Sequence, residues 1–410
     1  AYTLIEQEGI YNDLVRWGNI TPLRELYQLF PRLATWQPQP AKQAHFYNEL
    51  GEIYRRSSRI QDARESFEQA LAACKIAGDR REEGYALNNI GQITADAGKK
   101  EEALKYYEEA LKIHKELGNL DGESTSLTNI GWAYSDLEQM DLAREKYEEA
   151  LRIRREMHDL KGEARVLNSL GRVHENLEQL AEARKTLEQA LKLCQQVGDR
   201  DGEGWTCNNL GRAYYRLQQK ELAQSYFEKA LRIRREIGNR RGEAATLNNL
   251  GLLFASLGEC KHALEYYEQA LPIRREVGDR SGEGKTLNYI GLLHAALGQH
   301  EQAIPYFKQA LSIQRELGNA KRQADYLHNL GRSYAALHKN DLALASYLLA
   351  QERFAAPHLA GNGVKIDRNV ITTSLEELRK ELGDKAFEEL EQQVIPYMHQ
   401  MLESAFSSSV

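Results

Sequence analysis

Glycine recurs every forty residues, at Gly51, Gly91, Gly131, Gly171, Gly211, Gly251, Gly291 and Gly331. Alanine keeps the same interval at Ala63, Ala103, Ala143, Ala183, Ala223, Ala263, Ala303 and Ala343, and a second alanine column runs unbroken from Ala70 through Ala110 to Ala350. Between them stand Phe67, Tyr107, Tyr147, Phe227, Tyr267, Phe307 and Tyr347, with Leu187 the one exception. Eight copies in register, without an insertion, span roughly residues 41–354. Such a chain must stack like units, because one unit cannot bury its apolar face alone and its neighbour completes the core.

Each copy reads as two antiparallel helices. In the copy from Asp79 to Gly118, Asp79 is an N-cap whose carboxylate can accept from the free N–H groups of the first turn. Leu87, Ile90 and Thr94 follow a helical stripe. Ala97–Lys100 turns the chain, and Ala103, Tyr107, Ala110 and Leu111 share one face of the second helix. Gly118 ends that helix, since glycine takes the left-handed conformation at little cost, and Asn119 caps the next. The small columns predict close helix approach, with the aromatic column filling the space between repeats. His174 and His294, in a column held mostly by tyrosine, read as core residues.

The stretch GDRSGEGKT, Gly278 to Thr286, ends like a phosphate-binding loop. A P-loop requires G-x-x-x-x-G-K-[ST], so that backbone N–H groups curl around phosphates. Counting back from Gly284 puts Asp279 where glycine is needed. The same stretch recurs as GNLDGESTS at Gly118, GDRDGEGWT at Gly198 and GNRRGEAAT at Gly238, so it reads as the joint between copies.

Composition narrows the classes further. A net charge of −6 and a pI near 6.1 imply no basic face and argue against nucleic acid as partner. No apolar run approaches a membrane span, and no secretory signal opens the chain, so a cytoplasmic protein is expected. Cys74, Cys194, Cys207 and Cys260 lack metal-ligand spacing and read as free thiols, with no metal and no cofactor implied. Carboxylates are plentiful but fall on solvated faces, as in the i,i+4 pairs Glu108–Lys112 and Glu148–Arg152. Nothing in the pattern suggests catalysis, so the chain reads as non-enzymatic.

The segment LNNIGQITADAGKKEEALKYYEEAL carries Leu-Gly, alanine, aromatic and alanine in the order of the tetratricopeptide repeat (TPR), which the chain resembles over about three quarters of its length. The usual period is 34 residues. The longer period and the LNNLG…YYEQAL…IRRE form resemble kinesin light chain repeats and the TPR regions attached to bacterial signalling ATPases of the STAND (NB-ARC/NACHT) class. This resemblance implies an all-α, right-handed superhelical solenoid of eight TPR helix pairs with helical extensions at both ends. Residues 1–40 are expected to be a degenerate helix pair, 41–354 the repeats, and 355–410 capping helices divided near Gly383–Asp384, with 356–369 as loop. A start at Ala1 rather than Met suggests a piece of a longer protein. The implied function is a protein- or peptide-binding scaffold, the ligand-sensing region of a STAND-class protein; the alternative is a free-standing adaptor or peptide receptor. Oligomerisation is left open.

In TPR proteins the first-helix face opposite the packing stripe lines a concave groove. The resemblance places that groove at the columns of Tyr85, Asn88, Gln92 and Ala95, which share one helix face. The second of these reads Asn48, Asn88, Thr128, Asn168, Asn208, Asn248, Asn288, His328. Helix propensity does not explain six asparagines in eight copies. Two explanations stand: Asn88, Asn168, Asn208, Asn248 and Asn288 hold the backbone of a bound peptide, or they brace neighbouring repeats. The flanking columns vary, as specificity requires. Trp132, Arg165, Arg172, Trp205, Arg212 and Tyr215 make the middle basic and aromatic, and Leu252 and Leu292 make the next part apolar. The fitting ligand is a segment with acidic residues beside an aliphatic stretch.

Overall fold

The computed structural model describes residues 39–56, 59–354 and 365–407. The helix pair expected at the N-terminus lies outside these residues, save Pro40, which opens the first described helix at a position where its missing N–H costs nothing. The helices are α1 (Pro40–Arg56), α2 (Ile60–Ala77), α3 (Arg80–Asp96), α4 (Lys100–Glu116), α5 (Leu120–Asp136), α6 (Met140–Glu156), α7 (Leu160–Asn176), α8 (Leu180–Gln196), α9 (Arg200–Arg216) and α10 (Lys220–Glu236) in a first compact unit. A second unit, from Arg240, holds α11 (Arg240–Ser256), α12 (Cys260–Glu276), α13 (Arg280–Ala296), α14 (His300–Glu316), α15 (Ala320–Ala336), α16 (Asn340–Phe354), α17 (Lys365–Leu382), α18 (Asp384–Val394) and α19 (Met398–Ser407). Within each unit consecutive helices pack together, the two of a repeat most extensively. Each unit is an all-α stack of the helix pairs expected of a TPR array.

The joints form as the sequence predicts. Asp79, Asn119, Asp159, Asp199, Asp279 and Asn319 each cap a first helix by accepting from the backbone N–H three residues on. Residues in the left-handed region end the helices at Gly78, Gly98, Gly118, Gly198 and Gly238, but Glu138, His158, Glu178, Gln218 and His338 occupy the same place with φ of 55–61°. Gly284, Lys285 and Thr286 lie inside α13, and Asp279 caps it, so that stretch forms no phosphate loop. Its second glycine has a packing role that the sequence pattern left unexplained. A Cβ at Gly122, Gly162, Gly202 or Gly282 would run into His114, Arg154, Cys194 or Arg274, the side chains of one column at the end of the preceding helix.

The forty-residue glycine column admits the aromatic ring of its own repeat, which differs from the expected helix–helix approach with the ring between repeats. A Cβ at Gly91 would lie 2.6 Å from Tyr107, at Gly131 2.7 Å from Tyr147, and at Gly211 2.5 Å from Phe227. Where the aromatic is absent, Leu187 fills the same space, 2.6 Å from where a Cβ at Gly171 would lie. All eight alanines from Ala63 to Ala343 are fully buried. His174 and His294 are not core residues: each is partly exposed and bonds the Gln five residues on, at 2.8 Å, across the turn.

The C-terminal segment packs on the last repeat. Ile371, Leu378, Phe387, Val394 and Leu402 join the core that holds Tyr347 and Phe354. Gly383, at φ 82°, separates α17 from α18 as expected, but α17 begins at Lys365, inside the stretch read as loop, because no helix breaker follows Gly363. A turn at Ile395–Tyr397 adds a third helix, α19.

Candidate groove in the first unit

The asparagine column lies between first helices of successive repeats. Asn88 is 3% exposed and Asn168 is fully buried. Asn88 Nδ2 donates to Ser126 Oγ at 2.8 Å, and Asn168 Nδ2 to Thr206 Oγ1 at 2.6 Å and to the Ala164 carbonyl at 3.2 Å. In the second unit Asn248 Nδ2 donates to Thr286 Oγ1 at 2.9 Å. A neighbouring column supplies the other half of the ladder. Asn129 Nδ2 donates to Asn88 Oδ1 and Asn209 Nδ2 to Asn168 Oδ1, both at 3.4 Å, and Asn329 Nδ2 to Asn288 Oδ1 at 3.0 Å. Asn208 is likewise buried. The amides expected to hold a peptide backbone are thus engaged in bracing repeats, as buried polar groups must be satisfied. His328 ends the column, and its Nε2 lies 3.0 Å from Ser374 Oγ on α17. α17 therefore meets the last repeat as the first helix of a further repeat would.

Two cavities open on the first-helix face of the first unit. One, of 730 Å³, is lined by Thr128, Asn129, Trp132, Val166 and Trp205 and by charges of both signs, among them Arg154 and Arg165 beside Asp121, Asp159, Asp199 and Asp201. The other, of 210 Å³, includes Trp132, Ser169, Arg172, Val173 and Trp205. Both tryptophans border both cavities, with α7 as the floor between them. Trp132 is 38% exposed, and its indole N–H is satisfied by Ser169 Oγ at 3.0 Å. Arg212 and Tyr215 line neither cavity.

The cations of this face divide into committed and uncommitted groups. Arg55 pairs with Glu52 at 2.7 Å. Arg154 pairs with Asp121 at 2.6 Å and Asp159 at 2.9 Å. Burial alone would raise the Asp121 carboxyl, but the hydrogen bond and charge of Arg154 hold it below its ordinary range. Arg212, expected to select acidic side chains, instead donates to Glu175 Oε1 at 2.9 Å. Glu175 is 3% exposed, so the pair is a structural tie that also engages Arg216, whose guanidinium donates to the Glu175 carbonyl at 2.6 Å. Arg165 and Arg172 are exposed and have no ion-pair partner among the described residues. Leu252 and Leu292 belong to the second unit and are half-buried, Leu292 against its core.

Among the described residues no group of His, Cys, Asp and Glu is arranged to hold a metal ion, and no helix is long and apolar enough to cross a membrane. The three buried cysteines are free, and burial pushes the Cys207 thiol up to about 11 and Cys74 to about 12, so neither is a ready nucleophile.

No curated protein sequence matches the chain. Among solved structures it is similar to a Rap protein complexed with Competence and Sporulation Factor, with a TM-score of 0.60 and 14% identity over 88% of this chain and 99% of that one. The apo form of the quorum sensor NprR from B. thuringiensis aligns with a TM-score of 0.59 and 17% identity, over 85% and 99%. A STAND protein with a tetratricopeptide repeat sensor from Pyrococcus horikoshii gives a TM-score of 0.55 and 16% identity over 88% of this chain, which spans 56% of that protein. At these identities the likeness shows the fold. The tetratricopeptide repeat profile matches residues 42–116, 85–156, 162–236, 221–276 and 283–356, and with most of its length so covered the chain belongs to the tetratricopeptide repeat family.

Proposed function

We propose that the chain is a non-enzymatic binding scaffold whose first unit takes an extended, acidic partner segment along α5, α7 and α9. The observation that carries this reading is the pair of uncommitted cations, Arg165 and Arg172, beside Trp132 and Trp205, where the other arginines lining the two cavities, Arg55 and Arg154, are tied to carboxylates. Unpaired surface cations give an acidic partner charge complementarity and a faster encounter. Apart from Trp132 the tryptophan faces need no polar partner, since stacking and burial suit them.

The resemblance of the repeats to STAND TPR regions supports a sensor role within a larger signalling protein. A second reading, a free-standing peptide receptor, is favoured by the near-complete coverage of the Rap and NprR chains, one of which is complexed with a named factor and the other named a quorum sensor. A coding region upstream of Ala1 that carries a P-loop would favour the first.

The test is to pan a phage-displayed random dodecapeptide library on the chain. Acidic sequences should be enriched, and Arg165→Glu with Arg172→Glu should abolish their binding without lowering the melting temperature. Arg152→Glu, on the exposed face of α6, should leave binding unchanged. No enrichment over background, or full binding by the double variant, refutes the reading.

A further inference from the structure

In the first unit the groove departs from its repeat at two boundaries: at Asn48, where Ala86 offers no hydroxyl and the amide donates to Glu82 instead, and around α7. The ladder bond joins an asparagine to a serine or threonine 38 residues on, as in Asn88–Ser126 and Asn168–Thr206. Between those rungs the pair becomes Thr128 and Val166. Thr128 Oγ1 turns back to the Ser124 carbonyl of its own helix at 2.7 Å, and Val166 is buried without a hydroxyl to offer. The adjoining column also departs at this helix, reading Glu49, Asn89, Asn129, Ser169, Asn209, Asn249, Tyr289, Asn329. Ser169 accepts the indole N–H of Trp132, and the shorter side chain is what gives that large ring its place. Thr128 and Val166 line the larger cavity, Ser169 the smaller, and Trp132 and Trp205 both.

Departures occur elsewhere, at Ala86, Tyr289 and Tyr326, but there an amide rung survives, from Asn89 to Asn48, from Asn248 to Thr286 and from Asn329 to Asn288. Between α5 and α7 neither column supplies an amide rung, and the departing residues line the two cavities beside the uncommitted arginines. The smaller cavity, 210 Å³, is below the roughly 300–1,000 Å³ of a small-molecule site and suits one large side chain.

Resting on the binding role argued above, we propose that this lapse is an anchor pocket: one large apolar side chain of the partner segment enters between Trp132 and Trp205 over Ser169, and an acidic residue beside it meets Arg165 or Arg172. The anchor supplies the affinity and fixes the register; the arginines choose the neighbour. Buried aromatic anchors in desolvated pockets dominate interfaces of this kind.

The experiment uses the peptides selected on the full chain. Alanine scanning of each should find one large apolar position next to an acidic one whose loss weakens binding about thirtyfold or more. Ser169→Asn restores the residue of the neighbouring repeats, so it should fold normally, close the pocket and produce a similar loss. Trp205→Ala, at a half-exposed site, should do the same. Selected peptides with no such position, or with unchanged affinity for both variants, overturn the anchor while leaving the arginine-dependent binding intact. Failure to select any peptide removes the binding role itself.

Discussion

Replacing Asn168 with alanine measures what the ladder contributes. The side chain is fully buried and makes two short hydrogen bonds, to Thr206 Oγ1 at 2.6 Å and to the Ala164 carbonyl at 3.2 Å, while its own oxygen accepts from Asn209 at 3.4 Å. Each good bond contributes about 1 kcal/mol net, and the truncated amide leaves a void and an unsatisfied Asn209 donor. Asn168→Ala should therefore cost about 2–4 kcal/mol. Thr206→Val should cost less, about 1–2 kcal/mol, because Asn168 keeps its bond to Ala164. Thr206 Oγ1 also donates to the Gly202 carbonyl at 2.7 Å, so the two losses share one bond only. In a double-mutant cycle followed by urea denaturation and circular dichroism, the coupling should be about 1 kcal/mol. The same cycle at Thr128 and Val166, each changed to alanine, should give a coupling near zero, since no bond joins that pair. Coupling near zero at Asn168 and Thr206, or a cost for Asn168→Ala of under about 0.5 kcal/mol, would refute the bracing account.

Further expectations follow from the joints, the end of the array and the core. His158 sits at φ 55°, where a side chain costs about 1–2 kcal/mol and glycine costs chain entropy instead, so His158→Gly should raise the melting temperature, the net gain being near 1 kcal/mol. Burial, and then the charge of Arg332, lowers His328 from 6.5 to about 4. The unfolded chain takes up that proton first, so the stability present above pH 6.5 drains away as pH falls toward 4, by about 3 kcal/mol in full. His328→Asn, the residue of its column elsewhere, should flatten the denaturation midpoint between pH 6.5 and 5; an unchanged slope would contradict this. Gly131→Ala, whose Cβ would lie 2.7 Å from Tyr147, and Ala183→Leu, at a fully buried site, should each cost about 1–3 kcal/mol, whereas Glu188→Ala, which loses a hydrogen bond from Tyr214 on a half-exposed side chain, should cost less, at most about 1 kcal/mol.

The fold was legible because the register repeats: caps, breakers and small residues at fixed intervals each point to the same helix boundaries. The ring that Gly91 admits was less so, since a sequence shows that space is needed but not which neighbour fills it. At the groove the residue types were readable and their commitments were not. Arg212 and Arg172 occupy one column, yet Glu175 engages the first and nothing the second, a difference set by a single buried carboxylate in the column of Ala95. The choice between the two roles of the asparagines was also readable in principle. Serine or threonine stands 38 residues after Asn88, Asn168, Asn208 and Asn248, and valine after Thr128, a covariation that Ala86 after Asn48 and Tyr326 after Asn288 break.

That covariation bears on how such an array can grow. Helices α3 to α15 are each seventeen residues long, so whole modules of forty can be gained or lost by recombination without disturbing any joint. The ladder is less permissive, because the amide of Asn88, Asn168 or Asn248 is encoded in one module and its hydroxyl partner in the next. A tandem copy of the third module alone would set Thr128 against a second Ser126, a boundary with no amide donor, and leave the original Thr128–Val166 boundary in place. A copy of the fourth would set Asn168 against Val166 and strand a buried amide donor. The lapse can thus be inherited with the array but cannot be moved along it one module at a time, which ties the site to its position in the chain.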